Sequence, residues 1–522
     1  MRCVSTYFKP IRTMQQQTNI KEKPTLHKTE IPTLKNYING KWISSSSGKT
    51  APNINPANTN EILCYTPLST REETKEAIAY AKEAFHKWKS TPAPVRGKMM
   101  FQAMRLLQER IEDVAIALTK EEGKILREAK GEILRAINIM EFTAGEGRRM
   151  NGKTIPSELP NTFIYTIRQP LGVMGLITPW NFPNAIPLWK IAPALVAGNT
   201  VVFKPATITP LSAIKIAEIF DEAGFPPGVL NLVFGNGSIV GDEIVHNKDI
   251  HGISFTGSND VGCALYEQAS QRGIRVQCEM GGKNPLVILA DADLNLAVEG
   301  AILGGFGSTG QRCTAASRLI VEENIADKFT ELILKRMENF KIGDGMNSAT
   351  DMGPSVDEGQ MNTVLQYIEI GKQDGARLLK GGKRLTNDGF ANGYFVEQTL
   401  FDNVTPNMRI AQEEIFGPVI SIIRAKNFED ATEIANGVKF GLSASLYSQD
   451  IAKIMRFAEM SEVGKVHINS ATIGGEAQAP FGGSKATGIG PREQGNEVFD
   501  FYTEIKTVYI DFTGKKRETN IY

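Results

Sequence analysis

From Gly172 onward, short apolar runs alternate with stretches of helical periodicity, an order that few folds accommodate. The runs lie at residues 173–178, 200–203, 230–234 and 253–255, and residues 211–223 have helical spacing. Short strands alternating with helices are typical of a parallel sheet with helical crossover connections. A second region of the same kind begins with the strand-like residues 285–289 and extends to about residue 490. The sequence therefore predicts an α/β fold.

Length and charge narrow the functional class. A chain of 522 residues is long enough for two large lobes. Lys plus Arg equals Asp plus Glu, 58 each, and this neutral balance argues against nucleic acid as the main partner. No apolar stretch approaches the roughly 20 residues that cross a bilayer, so we expect no membrane role.

The five cysteines and five histidines lack the spacings of a disulfide framework or a metal site. We therefore expect no metal. We also expect a reduced, cytoplasmic protein in which most cysteines are packing residues, with room for one reactive thiol.

The N-terminal segment differs in composition from the rest. Lysines and arginines outnumber acids there, and no long apolar stretch marks a secretory signal. We expect residues 1–34 to be a disordered leader. A transit peptide and an over-long gene start, with Met14 as the true beginning, are the alternatives.

Outside the α/β regions, residues 37–42 predict a hairpin with Asn39-Gly40 as its turn. Residues 70–89 and 96–123 have helical spacing. Residues 501–512 are β-branched and aromatic, which predicts an edge strand that needs a partner.

Two glycine-rich segments match, or nearly match, known nucleotide-binding motifs. Residues 147–154 match G-x-x-x-x-G-K-[ST], but the preceding segment is helical and Pro156 and Pro160 follow, so the strand–loop–helix context of a nucleotide site is missing. We treat this match as chance. Residues 235–241 nearly match a dinucleotide fingerprint after a strand-like run, which by itself is a weak indication.

Three segments together indicate one chemistry. Cys313 stands in a glycine-flanked stretch, Glu279 precedes two glycines, and Asn181 lies between two prolines. A thiolate can attack an aldehyde, an amide N–H can hold the oxyanion, and a carboxylate can activate water. Each residue alone has an ordinary structural reading, as a packing cysteine, a cap or a turn. A papain-like Cys–His site is disfavoured because its local signature is absent.

Seven motifs in one order resemble the aldehyde dehydrogenase superfamily from about residue 37 to 512: TPWNFP, VVFKPA, FTGS, EMGGKNP, GQRCTA, EEIFGPV and APFGGSKATG. The resemblance implies a Rossmann-type cofactor domain (35–150 and 170–280), an α/β catalytic domain (281–490) and a small oligomerisation sheet (151–169 and 491–522). It also implies a homo-oligomer, either a dimer or a tetramer.

By the same resemblance, Cys313 is the nucleophile, Glu279 the general base and Asn181 the oxyanion donor, with Lys204 also at the site. The resemblance further implies cofactor contacts from Ile177, Thr178, Pro179, Trp180, Lys204, Thr207, Gly237, Gly241, Phe255, Thr256, Gly257, Ser258, Gly281, Glu414 and Phe416.

The cofactor is expected to be NADP or NAD. Many members that prefer NAD have Glu at the position of Thr207, and its absence here removes repulsion against a 2′-phosphate. Glu279 favours water over coenzyme A as the acyl acceptor.

Three longer stretches resemble members that oxidise α-ketoglutarate semialdehyde, an acidic substrate for which Arg148, Arg149 and Arg312 are candidate ligands. Succinate semialdehyde, glycolaldehyde-type substrates and a non-catalytic binding protein are the alternatives.

Overall fold

The apolar runs become the strands of two large sheets in the computed structural model, which describes residues 31–387 and 389–516. The predicted leader lies outside these residues except for its last four positions, of which Pro32 and Leu34 hydrogen-bond with Tyr65. Residues from Pro32 onward form one compact unit. The α/β prediction is confirmed.

The α-helices of the described residues are α1 (Arg71–Trp88), α2 (Ala93–Glu109), α3 (Ile111–Glu122), α4 (Leu126–Glu146), α5 (Ala185–Ala197), α6 (Pro210–Glu222), α7 (Asp242–His246), α8 (Asn259–Ser270), α9 (Leu294–Phe306), α10 (Glu323–Glu338), α11 (Glu358–Gln373), α12 (Arg409–Gln412), α13 (Phe428–Asn436), α14 (Ile451–Met460) and α15 (Val498–Tyr502). Among them, no helix combines the length and apolar character needed to cross a bilayer.

The strands are β1 (Asn36–Ile38), β2 (Lys41–Ile43), β3 (Thr50–Ile54), β4 (Ile62–Pro67), β5 (Thr154–Ile155), β6 (Thr162–Pro170), β7 (Val173–Ile177), β8 (Thr200–Lys204), β9 (Leu230–Leu232), β10 (Ile250–Thr256), β11 (Arg275–Glu279), β12 (Asn284–Ile288), β13 (Ala316–Glu322), β14 (Arg377–Lys380), β15 (Thr399–Asp402), β16 (Val419–Ala425), β17 (Phe440–Gly441), β18 (Ser443–Tyr447), β19 (Lys465–Ile468), β20 (Ser484–Lys485), β21 (Gly488–Ile489) and β22 (Thr503–Asp511).

The first sheet has the order β2-β1-β9-β8-β7-β10-β11-β21, with a parallel centre and antiparallel edges. Its register pairs Ile177 with both Lys204 and Phe255, and Thr256 with Glu279. Because parallel strands end at the same edge, these residues meet along one side of the sheet. Ligands bind at that edge in open α/β sheets.

The second sheet has the order β14-β15-β16-β13-β12-β18-β19 and is parallel except for β14. The residues Met280 to Lys283 separate the end of β11 in the first sheet from the start of β12 in the second. The two sheets therefore follow each other closely in the chain.

A third sheet, β22-β6-β5, is antiparallel and contains the predicted C-terminal edge strand. Nine residue pairs join β22 to β6, from Thr503↔Pro170 to Asp511↔Thr162. The sequence indicated the strand, and the structure identifies its partner within the chain.

Helix α5 forms the centre of the core around the first sheet. Apart from Lys190 it is apolar on all sides, and every one of its residues is buried, because it packs against α2, α4 and α15 as well as β7 and β8. A helix without a polar face is stable only in such surroundings.

Local signals account for several element boundaries. The predicted hairpin is confirmed: β1 pairs with β2 around Asn39 and Gly40, whose φ angles of 51° and 73° suit a two-residue hairpin turn. Helix α1 begins at a capping box, in which Thr70 accepts from the N–H of Glu73 and Glu73 accepts from that of Thr70.

Two other regions bear on the sequence predictions. The helical pattern at residues 96–123 is divided into α2 and α3, because the backbone of Arg110 leaves the helical conformation at φ −110° and ψ 15°. Because the apolar periodicity of the sequence continues across Arg110, the sequence gave no signal for this break. After the rejected nucleotide motif the chain enters β5 rather than a helix, as expected.

Candidate active site

A cavity of about 270 Å³ is lined by loops from both large sheets. It brings together residues that lie far apart in the sequence. The predicted residues that line it are Pro179, Trp180, Asn181, Thr256, Gly257, Ser258, Gly281, Cys313, Glu414 and Phe416.

The loop after β7 presents Asn181 to this cavity. Two buried charges on one side hold the loop: the Nζ of Lys124 donates to the carbonyl of Asn181 and to the carboxylate of Glu132, each at 2.6 Å. Glu132 also accepts from the backbone N–H groups of Asn184 (2.8 Å) and Ala185 (3.1 Å), where α5 begins. The side chain of Asn181 donates to the carbonyl of Gln311 at 3.0 Å. Asn181 is thus fixed beside the segment that carries Cys313.

Cys313 follows a tight turn. Ser308, Thr309 and Gly310 have consecutive φ angles of 48°, 59° and 68°, a conformation that residues with a Cβ rarely adopt. A Cβ at position 310 would lie 2.2 Å from the carbonyl oxygen of Gly417, so only glycine fits there. The Nδ2 of Asn284 donates to the carbonyl of Cys313 at 2.8 Å. This framework directs the half-buried Cys313 into the cavity.

The surroundings of Cys313 favour its neutral form. Burial, with smaller contributions from the charges of Glu414 and Glu279, raises the pKa of the thiol to about 12, and the charge of Lys465 acts in the opposite direction. The thiol can therefore act as a nucleophile only after a nearby group has taken its proton, or after a positive charge has approached and stabilised the thiolate.

Glu279 ends β11 and is buried, but it is not among the residues that line the cavity. One carboxylate oxygen accepts from the N–H of Gly483 at 3.2 Å, and the other lies against Gly482. Burial and the charge of Glu493 raise the pKa of Glu279 well above its usual value. A carboxylate in this environment accepts a proton more readily than an ordinary glutamate, as a general base requires.

A second buried carboxylate lies next to Glu279. Glu493 forms a short ion pair with the Nζ of Lys190, which also donates to the hydroxyl of Ser254 at 2.7 Å. Lys190 lowers the pKa of Glu279 while Glu493 raises it. The sequence gave no indication of this pair, because α5 and residue 493 are far apart in the chain.

Glu414 and Phe416 form the opposite wall. A carboxylate oxygen of Glu414 accepts from the N–H of Gly282 at 2.9 Å, and burial raises the pKa of Glu414 to about 7. A Cβ at position 281 would lie 2.0 Å from Glu414, which explains the glycine. Phe416, at φ 57°, meets the ring of Trp180 edge-on at 5.3 Å.

The remaining predicted residues lie outside the cavity, along the end of the first sheet. Ile177 and Lys204 are paired across β7 and β8, and a Cβ at position 241 would lie about 4 Å from both side chains. The hydroxyl of Thr207 donates to the carbonyl of Gly235 at 3.3 Å. The N–H of Thr178 donates to the carbonyl of Lys204 at 3.2 Å.

Gly237 and Phe255 complete the predicted set. Gly237 begins a π-helical turn, Gly237–Gly241, that leads into α7, and a Cβ at position 237 would meet no atom within 4 Å. The near-match motif thus stands between β9 and a helix, the context that a pyrophosphate site requires. Phe255 is buried in β10, where it pairs with Ile177 and Cys278.

These groups fit the dinucleotide that the resemblance implies. Lys204 is buried and donates only to the carbonyl of Pro205 (3.1 Å), with no carboxylate partner in the described part of the chain. Burial lowers the pKa of its ammonium group to about 8. The hydroxyls of Thr178 and Thr256 are buried without a hydrogen-bond partner. A buried cation and unpartnered hydroxyls are suited to ribose and phosphate oxygens.

The arginines predicted for a substrate carboxylate do not meet at the cavity. Arg312 forms an ion pair with Glu128 at 2.8 Å, and Arg149 pairs with Glu146 at 2.6 Å. Arg148 is exposed.

The sequence missed several residues that line the cavity: Ile186, Met280, Gln360, Thr363 and Ile415. Met280 and Ile415 stand inside recognised motifs and could have been included. Gln360 and Thr363 lie on α11, where no local signal marks them. Within residues 31–387 and 389–516, no group of His, Cys, Asp and Glu could hold a metal ion.

Comparisons with a protein family, with relatives of similar sequence and with solved structures agree with one another. Residues 42–508 match the aldehyde dehydrogenase family. An α-ketoglutaric semialdehyde dehydrogenase of Bacillus subtilis is 47% identical over 92% of this chain and 99% of its own length. A 2,5-dioxopentanoate dehydrogenase of Saccharolobus solfataricus is 45% identical over 90% of this chain and 98% of its own.

Among solved structures, a betaine aldehyde dehydrogenase of Staphylococcus aureus in complex with NAD⁺ superimposes with a TM-score of 0.91. It is 36% identical and covers 93% of this chain and 97% of its own.

Proposed function

The chain belongs to the aldehyde dehydrogenase family, and we therefore propose that it oxidises α-ketoglutarate semialdehyde (2,5-dioxopentanoate) to the carboxylic acid with NADP or NAD. The substrate is supported by two relatives whose names specify this compound under two synonyms and which cover nearly the whole chain. The cofactor is supported by the NAD⁺ complex of a structural neighbour. The observation that carries the chemistry is the single cavity lined by Cys313, Asn181 and Glu414.

In the first step, the thiolate of Cys313 adds to the aldehyde carbon and the carbonyl becomes an oxyanion. The side-chain amide of Asn181 and the backbone N–H of Cys313 donate to that oxygen. Donors held in place by Lys124 and Glu132 need no rearrangement when the charge develops, which is the main source of such stabilisation.

We assign cofactor binding to the end of the first sheet and the adjoining wall. Lys204 and Thr207 would hold the adenosine ribose, the Gly237–Gly241 turn and Ser258 the phosphates, and Glu414 the nicotinamide ribose. A cofactor bound there would supply the oxidant, a hydride acceptor for the carbon attached to Cys313, and loss of that hydride would leave Cys313 carrying a thioester.

The second step is hydrolysis of the thioester. Glu279 takes a proton from water, the hydroxide attacks the carbonyl carbon, and the bond to the sulfur of Cys313 breaks. Since the carboxylate of Glu279 now contacts Gly483, it must rotate towards the cavity before this step. Its raised pKa makes it a stronger proton acceptor than an ordinary glutamate.

The test is reduced-cofactor formation by the purified protein with α-ketoglutarate semialdehyde, succinate semialdehyde, glycolaldehyde and an uncharged aldehyde, each with NAD and NADP. We expect the highest kcat/KM for α-ketoglutarate semialdehyde. Cys313→Ala should abolish turnover. Glu279→Gln should give a burst of reduced cofactor without a sustained rate, because acylation proceeds and deacylation stalls.

Other outcomes contradict specific parts of the proposal. Similar kcat/KM across the panel would refute the substrate. Sustained wild-type turnover by Glu279→Gln would refute the base. A requirement for coenzyme A would refute water as the acyl acceptor, and inactivity with every aldehyde would favour a binding protein.

The sheets support the domain boundaries that we propose. Residues 35–150 and 170–280 contribute every strand of the first sheet except β21, and residues 281–490 contribute the whole second sheet. We assign cofactor binding to the former and catalysis to the latter. We assign assembly into a homo-oligomer, a dimer or a tetramer, to the third sheet, within residues 151–169 and 491–522, and we place the enzyme in the cytoplasm.

A further inference from the structure

Two cations without a carboxylate partner among the described residues meet beside Gly475, over the apolar cluster against which Cys313 packs. Arg135 lies in the middle of α4, and Lys465 begins β19. A Cβ at position 475 would lie 3.2 Å from the Nη2 of Arg135 and 3.4 Å from the Nζ of Lys465, so both charged groups face the same glycine. Elements from distant parts of the chain thus bring two positive charges to one point.

The present partners of both cations are neutral. Arg135 donates to the carbonyl of Gly475 and to the side-chain oxygen of Gln494, the latter at 3.0 Å. Lys465 donates to the carbonyl of Gly474. Neither forms an ion pair with any described residue, in contrast to Lys124, Lys190 and Arg312.

Each of the two cationic side chains lies over an aromatic ring. The guanidinium of Arg135 lies 5.7 Å from the ring centre of Trp189, and the Nζ of Lys465 lies 5.0 Å from that of Phe481. The two rings contact each other at 5.3 Å. Rings hold cations by their electron-rich faces without neutralising them, so the pair is positioned and still able to bind an anion.

Both cations act electrostatically on the candidate nucleophile. Lys465 lowers the pKa of Cys313, and the charge of the Cys313 thiolate raises the pKa of Arg135. Burial and the charge of Arg135 together lower the pKa of Lys465 to about 8. The positive charges of Arg135 and Lys465 repel each other because no carboxylate neutralises them, and a bound anion would relieve this repulsion.

Arg135 also lines a second, more open cavity of about 600 Å³. Two carboxylates, Glu141 and Glu476, lie on its wall, and Glu476 accepts from the side chain of Gln478. Neither carboxylate is paired with Arg135 or Lys465 in the described structure. An anion is therefore favoured where the two cations meet, rather than elsewhere on this wall.

We propose that Arg135 and Lys465 together bind the carboxylate of the substrate, at the end remote from the aldehyde. This assignment rests on the proposed function and names the specificity site for it. It replaces the three arginines suggested by the sequence, two of which are paired with glutamates and one of which is exposed. Guanidinium and ammonium groups suit this role because a carboxylate can accept from both at once.

The first experiment compares kcat/KM for α-ketoglutarate semialdehyde with that for pentanal, an uncharged aldehyde with the same number of carbons. Arg135→Gln and Lys465→Gln should each lower the ratio of the two values by about 30-fold or more, mainly through KM for the acidic substrate. Arg135→Lys, which keeps the charge, should recover part of the loss. Arg149→Gln, a change at an exposed arginine paired with Glu146, should leave the ratio unchanged.

The second experiment measures binding of 2-oxoglutarate, the dicarboxylate product, by calorimetry. The wild-type protein should bind it, and Arg135→Gln and Lys465→Gln should weaken binding by a similar factor at an unchanged melting temperature. If both variants bound 2-oxoglutarate as tightly as the wild-type protein, the carboxylate site would be wrongly assigned, whether or not the protein oxidised an aldehyde. Conversely, weakened binding without any aldehyde oxidation would leave the carboxylate site standing and refute the proposed function.

Discussion

The reactivity of Cys313 depends on what surrounds it more than on the residue itself. Its thiol is half-buried, near two cations and two carboxylates, and burial outweighs the cations. In the cofactor-free protein most of the thiol is therefore protonated at neutral pH. A buried thiol of this kind is protected from solution reagents until the site is complete.

Alkylation of Cys313 in the cofactor-free protein should accordingly depend steeply on pH. With a pKa of about 12, the thiolate fraction rises about tenfold per pH unit between pH 7 and 10, whereas an ordinary cysteine levels off above about pH 9. Iodoacetamide labelling followed by peptide mass spectrometry measures the rate at Cys313 separately from that at exposed Cys263. A plateau near pH 8 at Cys313 would contradict the expected protonation state.

Thr207 should determine the choice between NADP and NAD. Thr207→Glu places a carboxylate where the 2′-phosphate of NADP is expected, and repulsion of about 1 to 4 kcal/mol should lower kcat/KM for NADP relative to NAD by about tenfold or more. Thr207→Gln has a similar size without the charge and should change the ratio much less. Equal effects of both variants would mean that position 207 does not contact the ribose.

At this scale, the sequence indicated residues that stand inside short motifs and missed those that meet only through folding. Asn181, Cys313 and Glu414 come from three such motifs and line one cavity. Arg135 and Lys465 lie in ordinary helical and strand contexts, and nothing near them in the sequence marks a site. Only the packing of α4 against the loop at Gly475 brings them together.

The start of α5 shows how one element positions another. Glu132, on α4, accepts from the first N–H groups of α5 and pairs with Lys124, which holds the carbonyl of Asn181. The orientation of the proposed oxyanion donor therefore depends on a buried ion pair in a neighbouring helix.

Glu132→Gln should weaken both stability and activity. It leaves buried Lys124 with only the more distant carboxylate of Glu122, 3.9 Å away, as a counter-charge, which should lower the free energy of unfolding by about 3 kcal/mol, and kcat should fall because the loop of Asn181 is released. Urea denaturation and steady-state kinetics measure the two effects. Glu112→Gln, which breaks the exposed pair with Lys130, should change stability by less than about 1 kcal/mol. A similar small change for Glu132→Gln would refute the positioning role.

Element boundaries followed the sequence where a residue type is tied to one backbone conformation. The Asn39-Gly40 turn and the capping box of Thr70 are examples. The break at Arg110 was missed because a hydrophobic pattern describes which face is buried and not where the helix axis changes. The strand partner of residues 503–511 was also unpredictable, since pairing between distant segments leaves no local signal.

For the whole molecule, the third sheet presents an apolar face. Phe163, Ile167 and Ile510 lie on the same face of β6 and β22 and are 46%, 37% and 44% exposed. Lys506 and Tyr165 lie on it too. β22 is also at the edge of its sheet. An exposed apolar edge of this kind is usually covered by another element or subunit.

Ile510→Glu should therefore shift the protein from a dimer or tetramer to smaller species, because a charge would be buried in the subunit contact. Sedimentation velocity measures the change, and circular dichroism verifies that the subunits remain folded. Met455→Glu, at an exposed apolar residue of α14, should leave the oligomer intact. An unchanged sedimentation coefficient for Ile510→Glu would place the contact elsewhere.

The short connection from β11 to β12 has a consequence for motion. Glu279 ends the last parallel strand of the first sheet, whereas Cys313 belongs to the second, and only Met280 to Lys283 separate the two sheets in the chain. Asn181 also belongs to the first sheet. A small rotation of one sheet against the other would thus change at once the distances from Cys313 to the proposed base and to the proposed oxyanion donor. Solvent viscosity and temperature, which act on such rotations, can then affect turnover without altering any single contact within either sheet.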